Sequence, residues 1–177
     1  MESSYLNSYN FSFNSKKKNF IIYSNNLKEK TENVNFIDAS KLDSIMKHST
    51  KSYSLVYIYA YWCGPCRIET PKIIELAKNN PQVEIIFVNT DRTKDYEMTK
   101  NYLTSINFPY TSFTASEEYG KGRRRLGNFI EAICPTCQND KMGYSSSILY
   151  NKEGKVIFSS TYEMTNMVEQ IQNHVSQ

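Results

Sequence analysis

Four cysteines stand in two Cys-x-x-Cys pairs, Cys63-Gly64-Pro65-Cys66 and Cys134-Pro135-Thr136-Cys137. Two thiols at this spacing close a disulfide, exchange it with another, or supply half of a tetrahedral metal site. The surroundings of the first pair favour exchange. An apolar, aromatic run precedes it, Leu55-Val56-Tyr57-Ile58-Tyr59-Ala60-Tyr61, and the stretch after it, Arg67 to Lys78, reads as a helix. The pair therefore falls where a buried strand turns into a helix. Cys63 lies at the helix N-terminus, where unpaired N–H groups and the positive end of the dipole favour a thiolate. The thiolate is the nucleophile of disulfide exchange, and such positions bring a Cys pKa down to roughly 3.5–7.5. Cys63 is expected to face solvent and attack a substrate disulfide. Cys66, one helical turn away, then attacks the Cys63 sulfur and releases the reduced substrate.

The elements that must hold these thiols follow from periodicity and turn chemistry. Val34-Asn35-Phe36-Ile37 reads as a short strand. A helix follows, with Ser40 as its N-cap and Leu42, Ile45 and Met46 on one face. Residues 54–60 form the central strand, and the helix after the first Cys pair runs to about Asn79, with Pro71 expected to kink it. Val83–Asn89 is a second buried strand, and Lys94–Ile106 a helix with Tyr102, Leu103 and Ile106 inward. This βαβα alternation signals parallel strands with helices on both faces. Ser147–Tyr150 and Lys155–Ser159 flank a Lys-Glu-Gly turn as an antiparallel hairpin. The last helix is expected to open on a capping box, Ser160 to Glu163, with Met164, Met167, Val168, Ile171 and Val175 on its apolar face.

The segment 55–78, with Ala60, Trp62-Cys63-Gly64-Pro65-Cys66 and Pro71, resembles the thioredoxin superfamily. Cys66-Arg67-Ile68-Glu69-Thr70-Pro71 is most similar to the TlpA-type envelope thiol–disulfide reductases, and Gly143 to Ile157 looks like that family's closing hairpin. The resemblance covers about residues 34–175. It implies an α/β thioredoxin-like fold, a central mixed sheet flanked by helices, with residues 107–143 as an insertion before the closing hairpin. It also implies thiol–disulfide oxidoreductase activity on protein disulfides, with Cys63 and Cys66 catalytic. Trp62, Gly64, Pro65, Tyr144 and Ser145 support the site. Partners are disulfide-bearing proteins and an upstream dithiol electron donor. No organic cofactor and no metal are implied, and Gly-Pro between the cysteines favours reduction.

Two positions depart from the family. Thioredoxins carry a buried Asp at the position of Tyr57, the usual acceptor of the second thiol's proton. An unperturbed phenol titrates near 10 and does that poorly; Glu69, one turn beyond Cys66, or a water is the substitute. The family's cis-proline aligns with Ser145, for which a trans bond is expected because a non-proline cis bond costs about 2.5–4 kcal/mol. Ser145 offers an N–H and a hydroxyl where proline has neither.

Within 107–143, Phe108–Phe113 reads as an extra strand, and Leu126, Phe129, Ile130 and Ile133 mark a helix face ending at Cys134. For Cys134 and Cys137 three roles stay open: an auxiliary redox pair, a structural disulfide, or a metal site, with all four Cys or with an outside ligand. They are expected on the active-site side of the fold. His48 and His174 show no ligand spacing to either pair.

The 177-residue chain is 40% apolar and 14% aromatic, enough for one globular domain at 34–177, with a polar N-terminal segment 1–33 that includes a possible hairpin around Phe11–Tyr23. A net charge of +3 gives little support for nucleic-acid binding. Lys16-Lys17-Lys18 and Arg123-Arg124-Arg125 read as solvated faces. No run approaches the roughly 20 apolar residues of a membrane span. The start shows no signal-peptide pattern. Two placements remain: cytoplasmic, or the bacterial periplasm or cell envelope if a signal or anchor has been removed.

Overall fold

β2 (Tyr53–Tyr59) is the strand on which the molecule is organised. The computed structural model describes residues 34–176, so the expected N-terminal hairpin lies outside the described residues. Every element named here belongs to the compact unit that begins at Asn35.

From Ser54 to Tyr59 every residue of β2 is buried. Strands covered on both faces read as unbroken apolar runs, which is how this segment and β3 (Val83–Asn89) look in sequence. β2 pairs in parallel with β3 and antiparallel with β5 (Ser146–Asn151). β4 (Ser112–Ala115) lies parallel between β3 and β1 (Phe36–Ile37), and β6 (Val156–Ser159) closes the other edge. The six-stranded order is β1-β4-β3-β2-β5-β6. The expected extra strand therefore exists, but it begins at Ser112 rather than Phe108. Phe108 and Tyr110 instead pack their rings on Phe87.

Alternation along β2 sends side chains to two cores. Leu55, Tyr57 and Tyr59 face one, filled by α2 (Gly64–Asn79), α3 (Tyr96–Ser105) and α5 (Met167–Val175) through Ile73, Tyr102 and Ile171. Val56 and Ile58 face the other, filled by α1 (Ala39–His48) and α4 (Arg123–Ile133) through Leu42, Leu126, Phe129 and Ile130. The result is the thioredoxin-like α/β fold, a mixed sheet with helices on both faces. Among the described residues no helix is long and apolar enough to cross a membrane.

Three helix starts differ from the sequence reading. Asp38, not Ser40, caps α1: its carboxylate accepts the Lys41 N–H at 2.7 Å, and the Ser40 hydroxyl bonds to that same carboxylate. A 3-10 turn at Thr93–Asp95 precedes α3, which begins at Tyr96 rather than Lys94. The box at Ser160 does not form, because the buried Ser160 hydroxyl accepts the Ser147 N–H at 2.7 Å across the hairpin; α5 starts seven residues later, at Met167. Met167, Ile171 and Val175 form its buried face as expected. Pro71 sits inside α2 without ending it.

Candidate functional site

Cys63 is the N-cap of α2, and Pro65 lies in the first turn, where a missing N–H leaves no helical bond unmade. The Cys63 Sγ accepts the Cys66 N–H at 3.2 Å, so a sulfur occupies the place of a capping oxygen. Cys63 and Cys66 form a disulfide. Cys66 is fully buried and Cys63 is 5% exposed. The expected solvent-facing Cys63 is thus corrected: its sulfur reaches the surface only through a groove. The groove holds about 600 Å³ and runs from Cys63 and Pro65 past Arg123 and Leu126 of α4 to Met142 and Tyr144. That volume falls within the roughly 300–1,000 Å³ of ordinary ligand pockets. Beside it Trp62 stands 54% exposed, its ring centroid 4.6 Å from that of Tyr144. Gly64 is exposed, with open space around its α-carbon.

The loop before β5 is tied to the sheet beneath the site. Ser145 has φ +69°, a left-handed conformation, and no described peptide bond is cis. Its N–H donates to the Ile58 carbonyl at 2.8 Å, and its hydroxyl lies 3.2 Å from the Tyr57 hydroxyl. Both groups expected to serve the sulfurs are therefore spent inward. Tyr57 also receives the Thr70 hydroxyl at 3.5 Å. Burial pushes the Tyr57 phenol up to about 12, so it stays neutral and cannot serve as a base near neutral pH. Glu69, the other acceptor considered, forms an ion pair with Lys72 at 2.8 Å on the helix surface.

Two residues at the site escaped the sequence reading. Asp91, just past β3, is buried, and its Oδ2 accepts the Tyr61 N–H at 3.3 Å and the Thr99 hydroxyl at 3.0 Å. Burial raises its pKa, while the bonds from Thr99, Tyr61 and the Trp62 side chain pull the other way. Asp91 thus fixes the turn that carries Trp62 and Cys63. The second is Arg125, read as part of a solvated basic run but only 2% exposed. Its Nε donates to the Gly120 carbonyl and its guanidinium to the Asp91 carbonyl, both at 2.9 Å, with Glu117 at 3.5 Å. Arg123 and Arg124 are exposed as expected. A signal for Asp91 was present: ligand and catalytic groups of parallel sheets gather at the carboxyl ends of strands, and Asp91 follows the strand beside β2.

Cys134 and Cys137 form the second disulfide. It packs in the α1/α4 core, whereas Cys63 and Cys66 pack in the core on the other face of the sheet. The residues after it, Asn139 to Tyr144, return to the groove. Among the described residues no three of His, Cys, Asp and Glu converge as a metal site, so the four cysteines do not form one tetrad. His48 bonds to the Ser44 carbonyl and His174 packs on Phe158.

Comparison with known proteins agrees with this geometry. A family model described as thioredoxin-like matches residues 51–131. The thiol:disulfide interchange protein HelX of Rhodobacter capsulatus is 35% identical over 80 residues, 45% of this chain and 39% of that protein. A thioredoxin H-type of Fagopyrum esculentum is 53% identical over 36 residues, 20% of this chain and 31% of that one. The chain thus spans well under half the length of these curated relatives. Among solved structures, a thioredoxin-family thiol:disulfide interchange protein from Chlorobium tepidum superposes with a TM-score of 0.56 at 18% identity, covering 76% of this chain and 82% of its own. Residues 51–131 thus form a domain similar to the thioredoxin-like family, on a thioredoxin-like fold.

Proposed function

We propose that this chain is a thiol–disulfide oxidoreductase that reduces disulfides of polypeptide substrates through Cys63 and Cys66. The observation that carries the reading is the Cys63 sulfur serving as the N-cap of α2 and accepting the Cys66 N–H at 3.2 Å. A donor N–H and the helix dipole stabilise negative charge on that sulfur more than on the neutral thiol, which lowers its pKa. In the reduced state the Cys63 thiolate attacks one sulfur of a substrate disulfide, and the other substrate sulfur leaves and takes a proton. Cys66 then attacks the Cys63 sulfur, the second substrate thiol leaves, and the Cys63–Cys66 disulfide is restored. A dithiol donor returns it to the reduced form. The upstream dithiol donor and the polypeptide substrates are the partners this cycle needs. Trp62, Gly64, Pro65, Tyr144 and Ser145 shape the entrance, with Tyr144 and Ser145 locked by Trp62 and Tyr57.

Turnover of insulin disulfides with dithiothreitol as donor tests the reading. The wild-type chain turns over, Cys63→Ser does not, and Cys66→Ser accumulates a mixed disulfide with substrate. Turnover by Cys63→Ser overturns it. A second reading, a thioredoxin-like interaction domain with weak catalysis, is favoured by the inert Tyr57 phenol in the place of a carboxylate. It predicts insulin binding with turnover barely above that of dithiothreitol alone.

A further inference from the structure

The second pair sits in the opposite electrostatic setting from the first. Cys134 is the C-cap of α4, and its N–H donates to the Ile130 carbonyl at 2.8 Å. Carbonyls and the negative dipole end face it, which disfavours a thiolate. Cys63 caps an N-terminus, where a thiolate is favoured. Cys134 is therefore a poor attacking thiol, unsuited to passing electrons on to Cys63. Its accessibility is reversed as well: Cys134 is 1% exposed, whereas its partner Cys137 is half-buried.

What the pair does hold is the groove. The first turns of α4 line one side through Arg123 and Leu126, and the segment after Cys137 lines another through Asn139, Met142 and Tyr144. Backbone bonds in that segment are mostly local: Cys137 N–H to Cys134, Asn139 to Cys137, Lys141 to Gln138 and Met142 to Asn139. The Lys141 carbonyl accepts the Tyr162 N–H, and the Gly143 N–H donates to Ser146. The Asn139 side-chain oxygen is buried without a partner, so the wall is not held by its own polar contacts there. The covalent tie between Cys137 and the end of α4 anchors the wall to the helix on the other side.

We propose that Cys134–Cys137 is a second redox site, a latch whose reduction loosens the groove wall and weakens substrate docking; this rests on the reading that polypeptide disulfides dock at Cys63. The reductant is a dithiol. Its thiolate attacks the accessible Cys137 sulfur, the Cys134–Cys137 bond breaks, and Cys134 leaves as a thiolate that takes a proton. The Thr136 hydroxyl, 3.9 Å from the Cys134 sulfur, is the nearby donor group. The dithiol's second thiol then attacks the mixed disulfide, releasing Cys137 as a thiol and the donor as a cyclic disulfide. Two electrons pass, and the chain gains two protons.

The test uses Cys63→Ser/Cys66→Ser protein, in which the second pair is the sole redox centre. Trp62 is the only tryptophan, and it touches Tyr144 in the groove wall, so its emission reports the wall. Dithiothreitol titration should release two thiols while far-UV circular dichroism stays constant. Trp62 emission should shift together with thiol release, and the Kd for carboxymethylated insulin B chain should rise at least threefold. Unchanged emission and Kd after two thiols appear overturn the proposal, as does thiol release only upon loss of the folded signal. Without reductant, adding Cys134→Ser/Cys137→Ser to the Cys63→Ser/Cys66→Ser protein should raise the Kd for carboxymethylated insulin B chain at least threefold over the oxidised parent. An unchanged Kd overturns the latch; if this variant does not fold, the titration decides. Failure of the wild-type chain to turn over insulin is a separate result that refutes the proposed activity and leaves the titration readable.

Discussion

Replacing Arg125 by Met tests whether α4 and the active-site turn are coupled through one buried cation. Arg125 donates to the Gly120 and Asp91 carbonyls, both at 2.9 Å, and lies 3.5 Å from Glu117. The Glu117 side chain is 61% exposed, so that third contact is screened and adds little. Met keeps most of the aliphatic volume but leaves two inward-facing carbonyls without donors. Each unsatisfied group costs about 1–3 kcal/mol, and the relief of no longer burying a guanidinium offsets part of this. A net loss of about 3 kcal/mol is expected, a large share of the roughly 5–15 kcal/mol of a typical domain. The assay is urea unfolding of the oxidised protein. The same variant frees the Asp91 backbone, and Asp91 holds the Tyr61 N–H beside the site. Trp62 emission in the folded variant should therefore change. A loss below about 1 kcal/mol would show that water replaces the guanidinium and would refute the coupling.

Three further outcomes follow from the site. Iodoacetamide at neutral pH should label Cys63 of the reduced protein well before Cys66, because Cys63 opens on the groove and Cys66 is fully buried; equal labelling, read by mass spectrometry, counts against the assigned roles. Ser145→Pro, which restores the residue type of the resembled family, should destabilise by about 3 kcal/mol or more in urea, since proline locks φ near −65° and lacks the N–H. Ser145 sits at φ +69° and uses its N–H on Ile58, so wild-type stability in this variant would mean that the loop rebuilds. Asp91→Asn should alter the pH dependence of stability. The Asp91 pKa is raised above 3.8 in the folded chain, so the folded state holds a proton that the unfolded state has lost, and wild-type stability falls as pH rises from 3.8 through the folded pKa. The variant should lack that fall; identical pH profiles of the urea midpoint would remove Asp91 as its source.

The legible parts of the fold were those in which one face of a segment decides its structure. The α4 stripe Leu126, Phe129, Ile130 and Ile133, and the buried runs of β2 and β3, are periodic whatever else surrounds them. Boundaries set by distant partners were not legible. Ser160 has the chemistry of a cap, yet a strand thirteen residues earlier claims its hydroxyl. Arg125 was hidden for a similar reason. In sequence it is the third member of a basic run, and only the carbonyls of Gly120 and Asp91 draw it inside. The first Cys pair was placed correctly because its environment is local, a strand end and a helix start. The side of the sheet taken by the second pair depends on which face α4 covers, and near-neighbour spacing carries no such information.

The two Cys-x-x-Cys pairs share a spacing yet occupy opposite ends of their helices, and the proline in each explains why. In Cys63-Gly64-Pro65-Cys66 the proline is in the first turn, where its fixed φ suits a helix and its absent N–H deprives nothing. The chain starts a helix there, and Cys63 inherits the N-terminal field. In Cys134-Pro135-Thr136-Cys137 the proline directly follows the first cysteine, after eleven helical residues. A residue before proline is pushed out of the helical region. Cys134 accordingly has φ −147° and ψ 76°, and α4 ends at Ile133. The proline thus fixes which helix end each thiol meets, and with it the direction in which the dipole moves the thiol's acidity. On the proposed readings, one pair is prepared to attack, while the other stays bonded until a dithiol reaches its outer sulfur.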